Sequence, residues 1–392
     1  MKSDVVVVGG GPAGSATALL LARAGVGVRI VERAQFPRRK VCGEYLNAGA
    51  VAALGRLGVL EAVGEVAMPL RGVRLVAPGA PPVELAFGGP ALACARDVLD
   101  ALLLDAAVAA GAVVEHGRVD ELVFADGRCA GVRVRGDDGK LTERRARIVV
   151  GADGVGSVVA RKLGLTKPLR RGGRYAVGGH YAGFGALDAL VEMYVGGGAY
   201  FALNPLSQVR ANVMVVVPKE RLAQWSRDVD AGVGGAAAAL GRGVRSFEGA
   251  TRLGPRVSLG PLTHDVRGAS AAGAILTGDA AGFLDPFTGQ GVFLALTGAE
   301  RAAAAVIAAL RQPDAEPAAF GAYARWRADD VAWRRRLART VSLLVTVAPL
   351  ARRAAARLAR FPELGTTLVD ALGGAIPPQH AFRPAVLGRL LV

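Results

Sequence analysis

Hydrophobic positions in the first part of the chain predict one strand–helix–strand unit. Four valines follow one another within residues 4–8, which is typical of a strand buried on both faces. Glycines then lead into a helical pattern over residues 12–24, and residues 26–31 form a second, mostly apolar run. Two such runs joined by a helix indicate parallel strands, so we expect a βαβ unit here.

The same patterns predict strands and helices for the rest of the chain. Residues 97–110 carry Leu99 and Leu103 on one helical face, with Asp97 placed to cap the N-terminus. Short alternating runs between residues 113 and 150, broken by Asp-Gly pairs, predict a small antiparallel meander. Further strands are predicted at 72–76, at 82–87, within 175–217 and at 274–277, and further helices at 48–57, at 291–310 and beyond residue 313.

The composition is that of a folded protein without a disulfide framework. Of 392 residues, 52% are hydrophobic and 21% charged, so the chain can bury a large core and is not disordered. Its three cysteines are widely spaced and its four histidines show no paired-ligand spacing, so we predict no metal site and a reducing, cytoplasmic location. The sequence contains no run of about 18 apolar residues, so we predict no membrane-spanning helix.

Basic residues exceed acidic ones and concentrate near the C-terminus. Lys and Arg number 48 against 33 Asp and Glu, a net charge of +15. No nucleic-acid-binding motif or aromatic stacking pattern accompanies this charge, so we expect no nucleic acid as a partner. Residues 320–392, with 12 Arg and four acidic residues, predict helices with apolar and basic faces. Either these helices cover the domain that the βαβ unit begins, or they rest on an anionic membrane surface.

The glycines between the first strand and the first helix indicate a dinucleotide site. Gly9, Gly11 and Gly14 match GxGxxG where a strand ends and a helix begins. Gly9 permits the turn, Gly11 lets the backbone approach a pyrophosphate at the positive end of the helix dipole, and Gly14 lets the helix pack on the sheet. Glu32, at the end of the second strand, is placed to accept hydrogen bonds from an adenosine ribose.

A second motif separates FAD from NAD. Within residues 275–282 Asp279 follows the carboxyl end of the predicted strand 274–277, and residues 285–291 then lead into a long helix. A carboxylate in this place can accept hydrogen bonds from the ribityl hydroxyls of a flavin. The glycine turn at 289–291 brings bare backbone to a helix N-terminus, whose partial positive charge favours electron density on the flavin ring. The two motifs together indicate FAD.

With residues 36–44 (FPRRKVCGE) and 151–154 (GADG), these motifs resemble the geranylgeranyl-reductase-like branch of FAD-dependent oxidoreductases, which overlaps with the aromatic-hydroxylase type of flavoprotein monooxygenase. The resemblance implies that Asp279 binds the ribityl or pyrophosphate region, that Asp153 lies near the pyrophosphate, and that Arg96, just ahead of a helix, reaches the FAD. The predicted cofactor residues are Gly9, Gly11, Pro12, Ala13, Gly14, Glu32, Arg33, Arg96, Asp153, Asp279, Pro286, Gly289, Gln290 and Gly291.

The expected fold is α/β, with a Rossmann-like FAD-binding domain, an inserted antiparallel-sheet substrate domain and a helical C-terminal tail. We assign residues 1–70, 97–174 and 265–312 to the FAD-binding domain. Residues 71–96 and 175–264 form the predicted substrate domain, and residues 313–392 the tail.

The expected function is redox chemistry on a hydrophobic small molecule of polyketide, prenyl or lipid type. The tryptophan and aromatic-proline pattern usual in prenyl reductases is replaced by Phe201, Leu203 and Asn204-Pro205. This difference favours hydroxylation slightly over saturation of carbon–carbon double bonds. A third hypothesis is a non-catalytic carrier of a lipidated partner, and the retained Asp279 and 289–291 turn argue against it.

No second GxGxxG follows a strand, so we expect NADH or NADPH to visit as a transient reductant. No catalytic acid or base stands out, because Tyr175, Tyr181, Tyr200 and His180 suit packing as well as chemistry. Two roles stay open for Cys42, a small buried residue or a redox partner. The sequence specifies neither the substrate nor the oligomeric state.

Overall fold

The computed structural model describes residues 3–77, 80–168, 173–196, 199–227, 245, 247–262, 264–283 and 286–391. Asp285 of the second motif and residues 197–198 of the expected strand region lie outside this part of the chain. The strands are β1 (Val5–Val8), β2 (Val28–Glu32), β3 (Tyr45–Leu46), β4 (Met68–Val76), β5 (Val83–Ala93), β6 (Val113–His116), β7 (Arg118–Ala125), β8 (Arg128–Arg135), β9 (Leu141–Arg145), β10 (Ile148–Gly151), β11 (Arg174–Ala182), β12 (Leu190–Gly196), β13 (Ala199–Pro205), β14 (Arg210–Pro218), β15 (Thr251–Leu259), β16 (Ser270–Ala271) and β17 (Ala274–Leu276). The helices are α1 (Pro12–Arg23), α2 (Ala48–Arg56), α3 (Leu60–Gly64), α4 (Arg96–Ala109), α5 (Val158–Lys162), α6 (Lys219–Arg227), α7 (Gly291–Arg311), α8 (Glu316–Thr346), α9 (Ala348–Arg360), α10 (Pro362–Gly373) and α11 (Pro384–Leu391).

A six-stranded sheet contains the predicted βαβ unit. Its strand order is β16–β17–β10–β1–β2–β6, and all strands except β16 run parallel. Every residue of β1 and β10 is buried, as their unbroken apolar runs require. Helix α1 packs against both α4 and α7, where small residues of α7 allow close approach. This arrangement confirms the Rossmann-like fold.

The predicted meander between residues 113 and 150 is only partly correct. Strands β7, β8 and β9 form a three-stranded antiparallel sheet. Strands β6 and β10, at the two ends of this stretch, pair in parallel with β2 and β1 instead. Short apolar runs look alike in a sequence whether the strand pairs in parallel or antiparallel, and only the long-range pairing distinguishes the two.

The prediction that Asp97 caps α4 is wrong. Ala95 is the N-cap, and Asp97 lies inside the first turn, where its negative charge favours the positive end of the helix dipole. The predicted apolar face is present, since Leu99 and Leu103 are fully buried.

An eight-stranded sheet faces the carboxyl ends of the parallel strands. Its order is β15–β11–β14–β13–β12–β4–β5–β3. All pairs are antiparallel except β4 with β12, which is parallel. The long chain between these two strands supplies the crossover connection that a parallel pair needs. Strand β3 and the first residues of β4 precede the predicted boundary at residue 70 and yet belong to this sheet. The division into domains stays a prediction.

The C-terminal helices cover two different parts of the molecule. Helix α8 packs on α7, whereas α10 packs on β5 and α9 packs on α8 and α11. The buried face of α9 consists of alanines and Leu358, and most of its arginines point outward. The apolar face of this segment is therefore used inside the protein, and part of it covers the eight-stranded sheet rather than the parallel one.

Helix α7 is the one helix in the described part of the chain that is long and apolar enough to cross a membrane by length and composition. Within α7, 67% of the apolar 18-residue stretch is buried inside the protein. Its apolar residues contact α1, α2 and α8, so they serve as core in this fold.

We expect Gly14→Ala to destabilise the protein by at least about 2 kcal/mol, because the added Cβ would overlap the carbonyl oxygen of Gly9 and push α1 off the sheet. Gly55→Ala is the matched control: Gly55 lies on an exposed face of α2 with space for a Cβ, so this variant should gain up to about 1 kcal/mol. Urea unfolding of both apoproteins measures the difference, and equal stability would contradict the packing argument.

Candidate active site

A cavity of about 670 Å³ lies between the carboxyl ends of the parallel strands and one face of the eight-stranded sheet. Of the predicted cofactor residues, every one except Gly14 lines it. Those residues are Gly9, Gly11, Pro12, Ala13, Glu32, Arg33, Arg96, Asp153, Asp279, Pro286, Gly289, Gln290 and Gly291. Two motifs far apart in the sequence therefore share one crevice.

The glycine turn between β1 and α1 leaves room for a ligand. Gly9 has a φ of 101°, and a Cβ there would overlap the backbone of Ala152. Gly11 is the N-cap of α1, and a Cβ there would approach only the Arg38 guanidinium, at 3.4 Å. The first N–H groups of a helix have no partner within it, so the turn at Pro12 suits a pyrophosphate.

Glu32 holds this turn in place from the end of β2. Its Oε2 accepts the Gly10 N–H at 2.6 Å and its Oε1 accepts the Ala34 N–H at 2.8 Å. Each carboxylate oxygen has a further lone pair, and the side chain lines the cavity. The geometry therefore allows Glu32 to receive a ribose hydroxyl while it shapes the turn.

Asp279 follows β17 in the short 3₁₀ helix Gly278–Ala281, which begins with a φ of 58° at Gly278. Burial raises the pKa of the Asp279 carboxyl, and the nearby cations Lys40, Arg96 and Arg327 act in the opposite direction. Asp279 is partly exposed and lines the cavity, where its carboxylate can accept hydrogen bonds from ligand hydroxyls.

Several cations crowd the same wall of the cavity. Burial and the neighbouring Arg38 and Arg96 lower the pKa of Lys40, and Arg33 acts in the same direction. Like charges held this close are costly unless an anion joins them. A ligand diphosphate would supply that anion.

Arg96 begins α4 instead of preceding it, which corrects the predicted position. Its guanidinium donates two hydrogen bonds, of 2.7 and 2.8 Å, to Asp100. Asp100 also lies 3.3 Å from Arg38, so one buried carboxylate holds both cations at the cavity wall. Sequence reasoning missed Asp100, although its spacing of four residues from Arg96 was a usable signal.

The carboxylate of Asp153 is occupied by its own loop. It accepts the hydroxyl of Ser157, the N-cap of α5, and the Val158 N–H, the latter at 2.6 Å. Burial raises the pKa of Asp153, and these hydrogen bonds oppose the rise. Asp153 lines the cavity, but its main contacts shape the loop between β10 and α5.

Helix α8 completes the cofactor side of the cavity. Arg327 donates to the carbonyls of Gly278 and Gly282 at 2.9 and 3.2 Å, on either side of Asp279. Arg334 donates to Oε1 of Gln290 at 2.9 Å. Both arginines are buried. No local pattern marks them among the many arginines of this segment, so sequence reasoning missed them.

Three side chains of the eight-stranded sheet hold residues 42–44 at the cavity. Asn212 Nδ2 donates to the Cys42 carbonyl at 2.6 Å, and Asn204 Nδ2 donates to the Gly43 carbonyl at 2.9 Å. His180 Nε2 lies 2.7 Å from Glu44 Oε2. Sequence reasoning assigned no role to Glu44 or to either asparagine and left His180 open.

The wall that the eight-stranded sheet contributes is mostly apolar. Alternate residues of the sheet face it, and the opposite set packs into a separate core with Phe201 and Leu203. Phe287 contacts Tyr200 edge to face, with 5.0 Å between the ring centroids. The apolar lining from the sheet and the adjoining loops comprises Ala176, Met193, Tyr200, Ala202, Met214, Val216, Val257, Leu259, Leu262 and Phe283.

The residues present fit an FAD molecule. Arg38 Nε, Gln290 Nε2 and Arg327 Nη1 are buried at the cavity and have no hydrogen-bond partner in the described protein. Such orphaned donors are costly unless a ligand accepts from them. Among the described residues, no group of three or more His, Cys, Asp or Glu side chains could hold a metal ion.

Comparison with protein families identifies the cofactor class. Residues 2–335 match the family described as FAD binding domain. The chain belongs to that family. It is an FAD-dependent oxidoreductase of the geranylgeranyl-reductase-like type, with relatives named as reductases.

Two of these relatives illustrate the type. Digeranylgeranylglycerophospholipid reductase 2 of Methanopyrus kandleri is 31% identical over 344 residues, which cover 83% of this chain and 82% of that protein. Menaquinone reductase of Mycolicibacterium smegmatis is 32% identical over 322 residues, 74% of this chain and 73% of the relative.

Solved structures agree on the fold. A triple mutant of the flavin-dependent brominase Bmp2 has a TM-score of 0.84 at 23% identity and covers 98% of this chain and 99% of its own. A geranylgeranyl bacteriochlorophyll reductase-like protein from Thermoplasma acidophilum has a TM-score of 0.74 at 22% identity, over 99% of this chain and 95% of its own. At these identities the likeness is one of fold.

We expect Asp279→Ala and Gly11→Val each to weaken FAD binding at least tenfold, since one loses a charged acceptor and the other fills the space over the α1 N-terminus. Titration of apoprotein with FAD, followed by flavin fluorescence, measures this. Asp105→Asn, on the exposed side of α4, is the control and should bind FAD like the unaltered protein. Unchanged affinity in both site variants would show that the cofactor lies elsewhere.

Proposed function

We propose that this enzyme saturates carbon–carbon double bonds in an isoprenoid chain. Its relatives are named as reductases of digeranylgeranylglycerophospholipid and of menaquinone. The reducible groups of a geranylgeranyl chain are its double bonds, so a reductase of that lipid acts on them. The observation that carries the proposal is the apolar sheet face, which is continuous with the cofactor end of one cavity.

Different residues of the cavity bind the cofactor and the substrate. The glycine turn, Glu32 and Asp279 bind and orient FAD, which supplies a hydride equivalent when reduced. The apolar face binds the hydrocarbon chain and excludes water from it. Phe283 and Tyr200 are the aromatic members of this apolar lining.

The structure removes the reason for preferring hydroxylation. That preference depended on the residues that replace the prenyl-reductase pattern. Phe201 and Leu203 point away from the cavity into the second core, and Asn204 binds a loop carbonyl. None of the three lines the cavity, so this difference in sequence says nothing about the reaction. The carrier hypothesis lacks support as well, because the orphaned donors suit a bound cofactor.

The electron donor is part of the proposal. We infer that NADH or NADPH reduces the bound FAD by a transient visit to the open, basic mouth of the cavity, where Arg33, Arg39 and Arg118 lie. These side chains supply positive charge for the phosphates of a dinucleotide.

The test is anaerobic. Protein reduced with NADH, NADPH or dithionite is mixed with digeranylgeranylglycerophospholipid in detergent micelles. We expect the oxidised flavin spectrum to return and the product to gain hydrogen in pairs by mass spectrometry. Buffer micelles without lipid are the control. If the flavin stays reduced, and a hydroxylated product forms only when oxygen is admitted, the enzyme is a monooxygenase.

We also propose a peripheral contact with an anionic membrane surface, which would deliver a lipid substrate. Leu343 and Val347 are 58% and 40% exposed where α8 meets α9, and the exposed side chains of Arg339 and Arg352 belong to the same two helices. Apolar residues beside arginines favour the interface of an anionic bilayer.

We expect the protein to sediment with phosphatidylglycerol vesicles at low salt and to be released at high salt, and not to sediment with phosphatidylcholine vesicles. The double variant Leu343→Gln, Val347→Gln should bind less, because each exposed apolar side chain adds to burial in the interface. Failure to bind anionic vesicles at low salt excludes the membrane contact.

A further inference from the structure

A polar row ends the apolar face of the cavity. His180 on β11 lies opposite Asn212 on β14, and Asn212 lies opposite Asn204 on β13. Counting by twos along these strands leads to residues that line the cavity, Met214 on β14 and Ala202 on β13. The three polar side chains therefore occupy the same sheet face as the apolar lining, at one end of it.

All three contact residues 42–44, but in two different ways. The asparagines bind the carbonyls of Cys42 and Gly43 and so hold the backbone. His180 instead pairs with the carboxylate of Glu44, and both groups can carry a proton. The Glu44 side chain is only 4% exposed and that of His180 12%.

The backbone at Glu44 is unfavourable for a glutamate. Its φ is 58°, a left-handed conformation that glycine or asparagine adopts at less cost. Burial of a carboxylate adds to that cost. The two asparagines already hold the backbone of residues 42 and 43, so the Glu44 carboxylate is left for the Arg96 backbone N–H and for His180. Strained and buried polar groups of this kind gather at functional sites.

We propose that Glu44 donates the proton that completes double-bond reduction and that His180 returns a proton to it. The inference rests on the proposed reductase activity. One alkene carbon receives a hydride, with its two electrons, from reduced FAD, and the other carbon receives a proton from a Glu44 carboxyl oxygen. The alkene becomes an alkane, FAD is left oxidised, and the Glu44 carboxylate takes its next proton from His180 Nε2, which is replenished from water.

The surroundings of Glu44 support this role. Its Oε1 accepts the Arg96 backbone N–H at 2.9 Å, which fixes the carboxyl group, and Glu44 is among the residues that line the cavity. Cys94 is a poor alternative, because burial raises the pKa of its thiol to about 12 and it does not line the cavity. Other ionisable groups recorded beside Glu44 are Cys42, whose Sγ accepts the Glu44 N–H at 3.3 Å, Cys94, whose thiol pKa is raised in part by the Glu44 charge, and Arg96.

The experiment uses the anaerobic reoxidation of reduced holoenzyme by digeranylgeranylglycerophospholipid in micelles. We expect Glu44→Gln, which keeps the shape and an acceptor for the Arg96 N–H, to slow reoxidation about 100-fold. Glu44→Gly, which suits the left-handed φ, should be equally slow and should recover in formate but not in chloride of the same ionic strength. FAD affinity should change less than threefold in both variants.

A second readout needs no turnover. In the resting protein, the low-field NMR signal of the proton shared by His180 and Glu44, identified by its absence in His180→Gln, should shift in Glu44→Gln because the carboxyl group of the pair is lost. Asn212→Ala is the matched control: it loosens the same loop, so it should lower thermal stability but should not respond to formate.

The outcomes separate the two proposals. If the unaltered enzyme reduces the lipid and Glu44→Gln does so equally fast, the proton role of Glu44 is wrong and the reductase function stands. Glu44→Gly that is slow but not rescued by formate assigns Glu44 a structural role only. If the unaltered enzyme does not reduce the lipid, both proposals fall.

Discussion

Parallel pairing of β1, β10 and β17 is the constraint on which the cofactor site depends. The registers place Val8 beside Gly151 and Gly151 beside Leu276, so these three strands end at one edge of the sheet. The loops that leave this edge carry the glycine turn, Asp153 and Asp279. Segments that are more than 250 residues apart in the chain thereby line one cavity.

Alternation along the eight-stranded sheet then separates two environments. One set of residues lines the cavity, and the next residue along each strand packs into a core on the far side. The lining face changes from apolar to polar within two residues, between Met214 and Asn212. The apolar lining and the polar row of His180, Asn212 and Asn204 therefore share one sheet face, with the polar row at one end of it.

The sequence predicted the parts of the site that local pattern encodes. Gly9, Gly11 and Gly14 lie between a valine run and a helix, and that context alone indicates their role. Arg327 and His180 were beyond prediction, because their partners are 45 to 49 and 136 residues away in the chain and only the tertiary fold brings them together. The parallel β4–β12 pair escaped prediction for the same reason. The predicted capping role of Asp97 was wrong because an acidic residue is favourable at several positions near a helix N-terminus.

The contacts of Arg327 and Arg334 have a consequence for the order of events during biosynthesis. The loops around Asp279 and Gln290 are held by a helix that follows them in the chain. A ribosome therefore exposes the glycine turn long before the residues that secure the opposite wall of the crevice have been translated. Nascent chains should consequently acquire their flavin late, after α8 has left the exit tunnel, and a chain ending before α8 would be made without a pocket able to retain it.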